Sequence, residues 1–262
     1  MTVAPKPSDI FQRAVDEGKR RLDQSMLELL STGFIAGFTI VFGIIAQGVT
    51  HALAEPALGE SAKVAGALAF PIGLIFLIVG RAELFNENFF DPAAAVFERR
   101  ERGIVYRLFR LWSLTFVLNL MGGALFSLVF SVHGVLPDGA RSALGTVAED
   151  IAGQSGWAAF MSAVAGGALV TLLSFLLLGV NSVGSRIALA FLVGFLLAAG
   201  PFAHVIVTVL HVFLGILFGA QVGYGDLFRV MGIATLGNLV GGVGLVTLSH
   251  IAQAEGGRES AE

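Results

Sequence analysis

The sequence predicts an all-α integral membrane protein made of two inverted halves of three helices each, with the second helix of either half broken. Three observations carry this expectation. Of 262 residues, 55% are hydrophobic and 13% charged, with a mean hydropathy of +0.83, whereas an average soluble domain carries about 25% charged residues. The stretch Asn119-Leu-Met-Gly-Gly returns as Asn238-Leu-Val-Gly-Gly, as expected of one unit used twice. Finally, each half contains an interruption in its second apolar run: Gly80-Arg-Ala-Glu-Leu-Phe-Asn-Glu-Asn88 in the first, Gly200-Pro-Phe-Ala-His204 in the second.

Charge-free runs place the spans, since about 20 apolar residues at 1.5 Å rise cross the hydrocarbon core. A polar segment, 1–26, comes first and carries no cleavable signal pattern. Phe11, Val15 and Leu22 stand in it at helical spacing, which predicts an amphipathic helix lying on the membrane surface or covering a pore. The first span is expected over 29–50, the second over 64–80, the third over 111–136 and the fourth within 151–185, with 137–155 as an outer loop. The run 187–225 holds 39 residues, roughly 58 Å as continuous helix, too long for one crossing and without a polar turn for two. It therefore reads as a broken helix. The last span is expected over 230–254, with 255–262 as a disordered tail and 253–262 as the cytoplasmic segment that follows the channel domain. The channel domain is thus 27–252, its halves about 27–132 and 151–252.

Three spans per half invert the second copy relative to the first, an architecture of transporters and channels. Lys6, Arg13, Lys19, Arg20, Arg21, Arg99, Arg100, Arg102, Arg107, Arg110, Arg186 and Arg258 fall on one side, against Lys63, Arg141 and Arg229 on the other. Positive charge is retained inside, so both termini are expected in the cytoplasm and the chain in the inner, or plasma, membrane. With no cysteine, thiolate metal and redox centres are excluded. Nothing calls for a metal, a cofactor or nucleic acid.

Unwound backbone at membrane depth is tolerated only where it is buried in protein or lines a wet cavity, and matched breaks in two halves point to a permeation site. The charges Arg81, Glu83 and Glu87 are accordingly pathway candidates. The plainer alternative is an interhelical ion pair or a loop just beyond a short span. A histidine at the second break, His204, can exchange a proton near neutral pH. His211, further along, reads as packing.

These residues resemble the formate/nitrite transporter family of pentameric, aquaporin-like channels over about residues 27–252. The family's G-A-[ED]-L-F-T-x-N motif is matched by Ala82-Glu-Leu-Phe-Asn-Glu-Asn88, and its G-F-E-H-S-x-A-N loop by Pro201-Phe-Ala-His-Val-Ile-Val-Thr208. Asn119 and Gly237-Asn238 match its paired asparagines. The resemblance implies an aquaporin-like bundle of six transmembrane helices and a homopentamer with one pore per protomer. Phe70, Leu74 and Leu197 would form apolar constrictions, and Leu84, Phe85 and Asn86 a mobile loop. Asn86 stands where the family has threonine, and Thr171 and Thr208 where it has asparagine. The family's vestibule lysine aligns near Ser155, and no lysine follows Lys63.

The implied activity is passage of small monovalent anions, or their weak acids, past a histidine set between apolar constrictions. A bare carboxylate is far costlier to desolvate than its neutral acid. An aquaporin-like pore for neutral solutes is the alternative, in keeping with the missing lysine. A remote one is an intramembrane serine protease, since Gly153-Gln-Ser-Gly156 fits G-x-S-G and His204 follows on a later span.

Overall fold

A computed structural model describes residues 5–99 and 101–259. Helix α1 (Pro7–Leu22) opens with a proline in its first turn, where no N–H is needed, and ends in Lys19, Arg20 and Arg21, which complement the negative end of its dipole. The Ser25 hydroxyl then accepts from the Glu28 N–H and starts α2 (Met26–Leu58). The chain returns antiparallel along α2 as α3 (Ala62–Ala69) and α4 (Pro71–Val79), which meet at Phe70 because Pro71 has no N–H to donate.

Why α4 stops explains Arg81. The Ala82 N–H reaches the Leu77 carbonyl (3.1 Å) and the Arg81 N–H the Ile78 carbonyl (3.3 Å), the paired bonds that close a helix through a left-handed residue. Arg81 takes that position with φ of 53°, where glycine is usual, and its side chain is exposed. Residues 82–92 then run buried through a single tight turn over Phe85–Asn88 into α5 (Asp91–Arg99). Helix α6 (Ile104–Ser131) completes the half and runs parallel to α2. A Cβ at Gly37 would strike the Asn119 carbonyl, so only glycine permits this approach.

The second half repeats the order. Helix α7 (Asp138–Gly153) leads in, Ser155 caps α8 (Gly156–Leu178), and α9 (Val183–Ala199) ends at Gly200-Pro201. After a non-helical stretch the chain resumes as α10 (Val205–Phe218) and returns through α11 (Tyr224–Leu239), a π-helical turn Val240–Thr247 and α12 (Leu248–Glu259). Here Gly167 lies against the Asn238 backbone, where a Cβ would clash as at Gly37. Helix α1 packs on both α5 and α12 and receives the end of α8, where Arg13 donates to the Leu178 carbonyl. These elements define the terminal face; α7 and the starts of α8 and α11 lie at the far face. Helices α2 and α6 thus run away from the terminal face and α8 and α11 toward it, as inversion requires.

The runs Met26–Val79, Ile104–Ser131, Gly156–Leu178 and Tyr224–Gly257 are long and apolar enough to cross a membrane; α9 and α10 are shorter apolar helices. The fold is all-α among the described residues. Large apolar side chains such as Leu53, Phe109, Met121 and Leu192 are exposed on the outside, as a lipid or subunit contact needs.

Several boundaries differ from expectation. The third helix spans 104–131, not 111–136, because Arg107 and Arg110 reach back to Asp23 and to the Leu22 carbonyl and keep its first turns ordered. Residues 138–153, expected as loop, are helical: Ala140, Ala143, Leu144 and Ala148 form a small apolar face buried against α2 and α10. Residues 255–259, expected as tail, continue α12. Helix α1 lies on protein, with Phe11, Ala14 and Val15 packed on Phe90, Ala94, Ile251 and Ala254. Arg100 and the side chain of Arg258 lie outside the described residues, as do 1–4 and 260–262.

Candidate functional site

Two buried asparagines hold the two breaks by the same set of bonds. Asn119 donates to the carbonyls of Gly33 (2.8 Å) and Glu83 (3.0 Å) and accepts from the Phe85 N–H (2.8 Å). Asn238 donates to the carbonyls of Ala163 (2.7 Å) and Ala203 (2.8 Å) and accepts from the Val205 N–H (2.8 Å). Each amide thereby satisfies backbone groups that an interrupted helix leaves open. By this correspondence Leu84 occupies in the first half the place of His204 in the second. Asn238 also accepts from the Asn86 amide at 2.7 Å, joining the two breaks through one oxygen.

His204 precedes α10 and caps it, its Nδ1 accepting from the Val207 N–H (3.4 Å). An N–H can only donate, so Nδ1 carries no proton in the neutral ring and Nε2 does. That Nε2 is buried and has no hydrogen-bond partner among the described residues. The ring lines a far-side cavity of ≈ 160 Å³ together with Phe70, Leu197, Thr208, His211 and Gln47.

A second cavity, ≈ 330 Å³, lies at the terminal face and is charged. Arg21 reaches from α1 to the Glu87 carbonyl (3.2 Å), the Asn88 side chain (3.0 Å) and the carboxylates of Glu83 (3.4 Å) and Asp91 (3.6 Å). Arg20 and Gln24 donate to the same Glu83 at 3.2 and 3.0 Å. Glu17 faces both arginines. Burial works against its charge, yet hydrogen bonds from Arg20 and Arg21 and their charges outweigh this and hold its carboxyl at about 2. Arg81 and Arg186 complete the rim.

Between the cavities the wall is apolar with isolated polar atoms. At the start of α4, Phe70 lines the far cavity; on the helix Leu77 and Ile78 line the terminal one, and Leu74 stands on the same stripe between them, 2% exposed. On α8, Ser162 lines the far cavity, Ser174 the terminal one, and Thr171 lies between, fully buried. Leu84 and Phe85 are buried in the same core. Thr171 Oγ1 and Asn86 Oδ1, like His204 Nε2, have no hydrogen-bond partner among the described residues. Buried polar atoms are rarely left so, because each forfeits about 1–3 kcal/mol of hydration. Asn86 and His204 belong to the junction of the two breaks, since Asn238 binds both the Asn86 amide and the Val205 N–H beside His204, while Thr171 Oγ1 faces Gly242. The other buried atoms without a partner include Glu83, Glu87 and Asp91 oxygens at the terminal cavity.

The structure thus brings together His204, Thr208, Phe70 and Leu197 at the far cavity, and Glu83 and Glu87 at the terminal one. Asn86, Asn119 and Asn238 join the breaks. The expected ion pairing holds for Glu83, but through Arg20 and Arg21, which the sequence reading left in a lead-in helix. Arg81 forms no ion pair among the described residues and serves the turn. Ser155 is an exposed helix cap whose Oγ accepts from the Ala158 N–H, and Gln154 is the neighbour that lines the cavity. No hydrogen bond joins Ser155 to His204 among the described residues, so the protease geometry is absent there. His211, read as packing, lines the cavity and bonds to Gln47. Its i+7 spacing from His204 was the available signal.

A family model described as formate/nitrite transporter matches residues 8–252. The chain is 22% identical over 93% of its length, and 77% of the other's, to inner membrane protein YfdC of Escherichia coli (strain K12). Among solved structures, an FNT family ion channel superposes with a TM-score of 0.80 at 18% identity, covering 94% of this chain and 98% of that one. A pentameric formate channel with formate bound gives 0.69 at 18% identity, covering 86% and 96%.

Proposed function

Because the chain belongs to the formate/nitrite transporter family, we propose that it passes small monovalent anions across the inner membrane as their weak acids, through one pore per protomer of a homopentamer with both termini in the cytoplasm. The observation that carries this reading is the junction itself: a buried imidazole Nε2 without a hydrogen-bond partner among the described residues, Asn86 in the first break tied to Asn238, and the apolar Phe70, Leu74 and Leu197 in the adjoining wall. An anion entering so apolar a passage loses its hydration, and the Born penalty is many times that of a neutral acid. His204 Nε2–H donates to the arriving oxygen, and protonation of the solute removes the charge before the constriction at Leu74. Asn86 then offers the neutral acid an acceptor oxygen. The pentamer is supported by the assembly of the formate channel it superposes on and by exposed apolar faces; the orientation is supported by the excess of arginine at the terminal face.

One observation favours a second reading, a pore for small neutral solutes: among the described residues, no Lys, Arg, Asp or Glu lines the far cavity. Reconstituted liposomes separate the two. With the weak-acid route, uptake of labelled formate follows the proton gradient, and His204→Phe abolishes it while the protein still assembles. Uptake of a small polyol that exceeds formate uptake at every pH, or an unchanged formate profile in His204→Phe, would favour the neutral pore.

A further inference from the structure

Two turns beyond His204, His211 stands on the same stripe of α10, with Thr208 between them, and all three line the far cavity. The ring of His211 is 5% exposed. Its Nδ1 lies 3.0 Å from the Val207 carbonyl and its Nε2 3.3 Å from the Gln47 side-chain oxygen. A carbonyl only accepts, so Nδ1 carries the proton and Nε2 is the basic atom of the neutral ring. Val207 therefore sets opposite tautomers in the two histidines, its N–H facing His204 and its C=O facing His211. Gln47 suits either charge state of His211. Turned one way its amide donates to neutral Nε2, and turned the other its oxygen accepts from the imidazolium.

Among the described residues, the elements packed around His211 bring no opposing charge to it. The cavity receives Val147, Ile151 and Gln154 from α7, Leu197 and Ala198 from α9, and Val230, Ile233 and Ala234 from α11. On α7, Arg141 lies over Phe218, Glu149 accepts from the Gln221 N–H, and Asp150 is exposed. On α11, Arg229 pairs with Asp226. Helix α6 has no titratable residue from Leu111 to Ser131, and on α2 the titratable residue next along the chain from the uncharged Gln47 is His51, one turn on.

We propose that His211 and Gln47 form a second subsite for the weak acid at the far-side entrance, in which His211 Nε2 carries the exchangeable proton. The proposal rests on the weak-acid reading above. The buried ring rests neutral; docking of the anion at Nε2 is coupled to uptake of a proton from the far-side water, and the ion pair so formed holds the anion. Transfer breaks the Nε2–H bond, forms the O–H bond of the acid and leaves neutral imidazole, which far-side water protonates again as the next anion docks. In the reverse direction the acid returns its proton to Nε2. The cavity thereby gains a cation without a lysine when the anion docks.

The test is labelled formate uptake into liposomes containing the full chain, measured against far-side pH. His211→Gln is expected to lower uptake about tenfold near neutral pH and to flatten its pH dependence. Gln47→Glu places a carboxylate beside Nε2 and is expected to shift the midpoint upward by about one pH unit or more. Should His211→Gln fail to assemble, the shift in Gln47→Glu decides. A wild-type rate and profile in a folded variant, with His204→Phe inactive, would overturn the subsite and leave the weak-acid reading standing. Wild-type liposomes that take up no formate would overturn both.

Discussion

At the first break Asn119 holds Glu83 and Phe85, and α1 lays Arg20 and Arg21 over the buried polar groups of the loop, Glu83, Asn88 and Asp91. At the second, Asn238 holds Ala203 and Val205 with the same bonds, and α7, the counterpart of α1, brings Val147 and Ile151 instead. One backbone plan thus has a charged, clamped side and an apolar side with two histidines. A repeated unit needs its asparagine to hold an open helix end, so that part is common to both halves. The side chains around the two breaks are freer to diverge: the cap on α10 is a histidine, His204, where the corresponding position of the first half is Leu84.

The comparison is broken most severely by Arg21→Ala, which leaves Glu83 and Asp91 buried without their shared cation. We expect a loss of roughly 3–5 kcal/mol, read as a fall in the denaturation midpoint in detergent. Asn238→Ala should follow, at about 3 kcal/mol, because it strands two carbonyls, the Val205 N–H and the Asn86 amide together. Asn119→Ala should be milder, having no second asparagine to strand, and an equal or larger loss there would mean that the bond between the breaks contributes nothing.

A smaller effect sharpens the clamp. Glu17 titrates at about 2 in the folded chain against an ordinary 4.5, so its contribution is complete above the higher value and fades as pH falls toward the lower. The protection of amides 7–22, their exchange rates taken relative to the unprotected rate at each pH, should therefore be steady from pH 7 to 5 and fall below, and Glu17→Gln should remove that dependence. The smallest effect is a gain. Arg81→Gly relieves a left-handed residue and should stabilise the protein by about 1 kcal/mol without altering flux. Reduced flux in that variant would return Arg81 to the pathway.

Much of this arrangement was legible in the sequence because polar residues in an apolar chain announce themselves. Asn119, Asn238, Glu83 and His204 stand out by chemistry alone, and Gly200-Pro201 marks a helix end by backbone sterics. Arg20 and Arg21 could not be matched to Glu83 in that way, since surface-like charge in a polar segment gives no sign of what it will meet. Helix α7 was hidden by its small, mixed composition, Asp-Gly-Ala-Arg-Ser-Ala-Leu-Gly, whose narrow apolar face is recognisable only once α2 and α10 lie against it. Gln47 and His211 come from different halves, and nothing short of the packed bundle pairs them.

The Asn86–Asn238 bond has a thermodynamic consequence. It places one loop from each half on a common acceptor, so a rearrangement that withdraws Asn86 also alters the anchor of Val205, the residue next to His204. Two sites tied in this way share a coupling free energy, and linkage makes that coupling reciprocal. On the proposed reading, whatever factor a solute at His204 applied to the position of the terminal-side loop, the loop would apply to the affinity at His204. Occupancy on the far side and release on the terminal side would then be one equilibrium seen from its two ends.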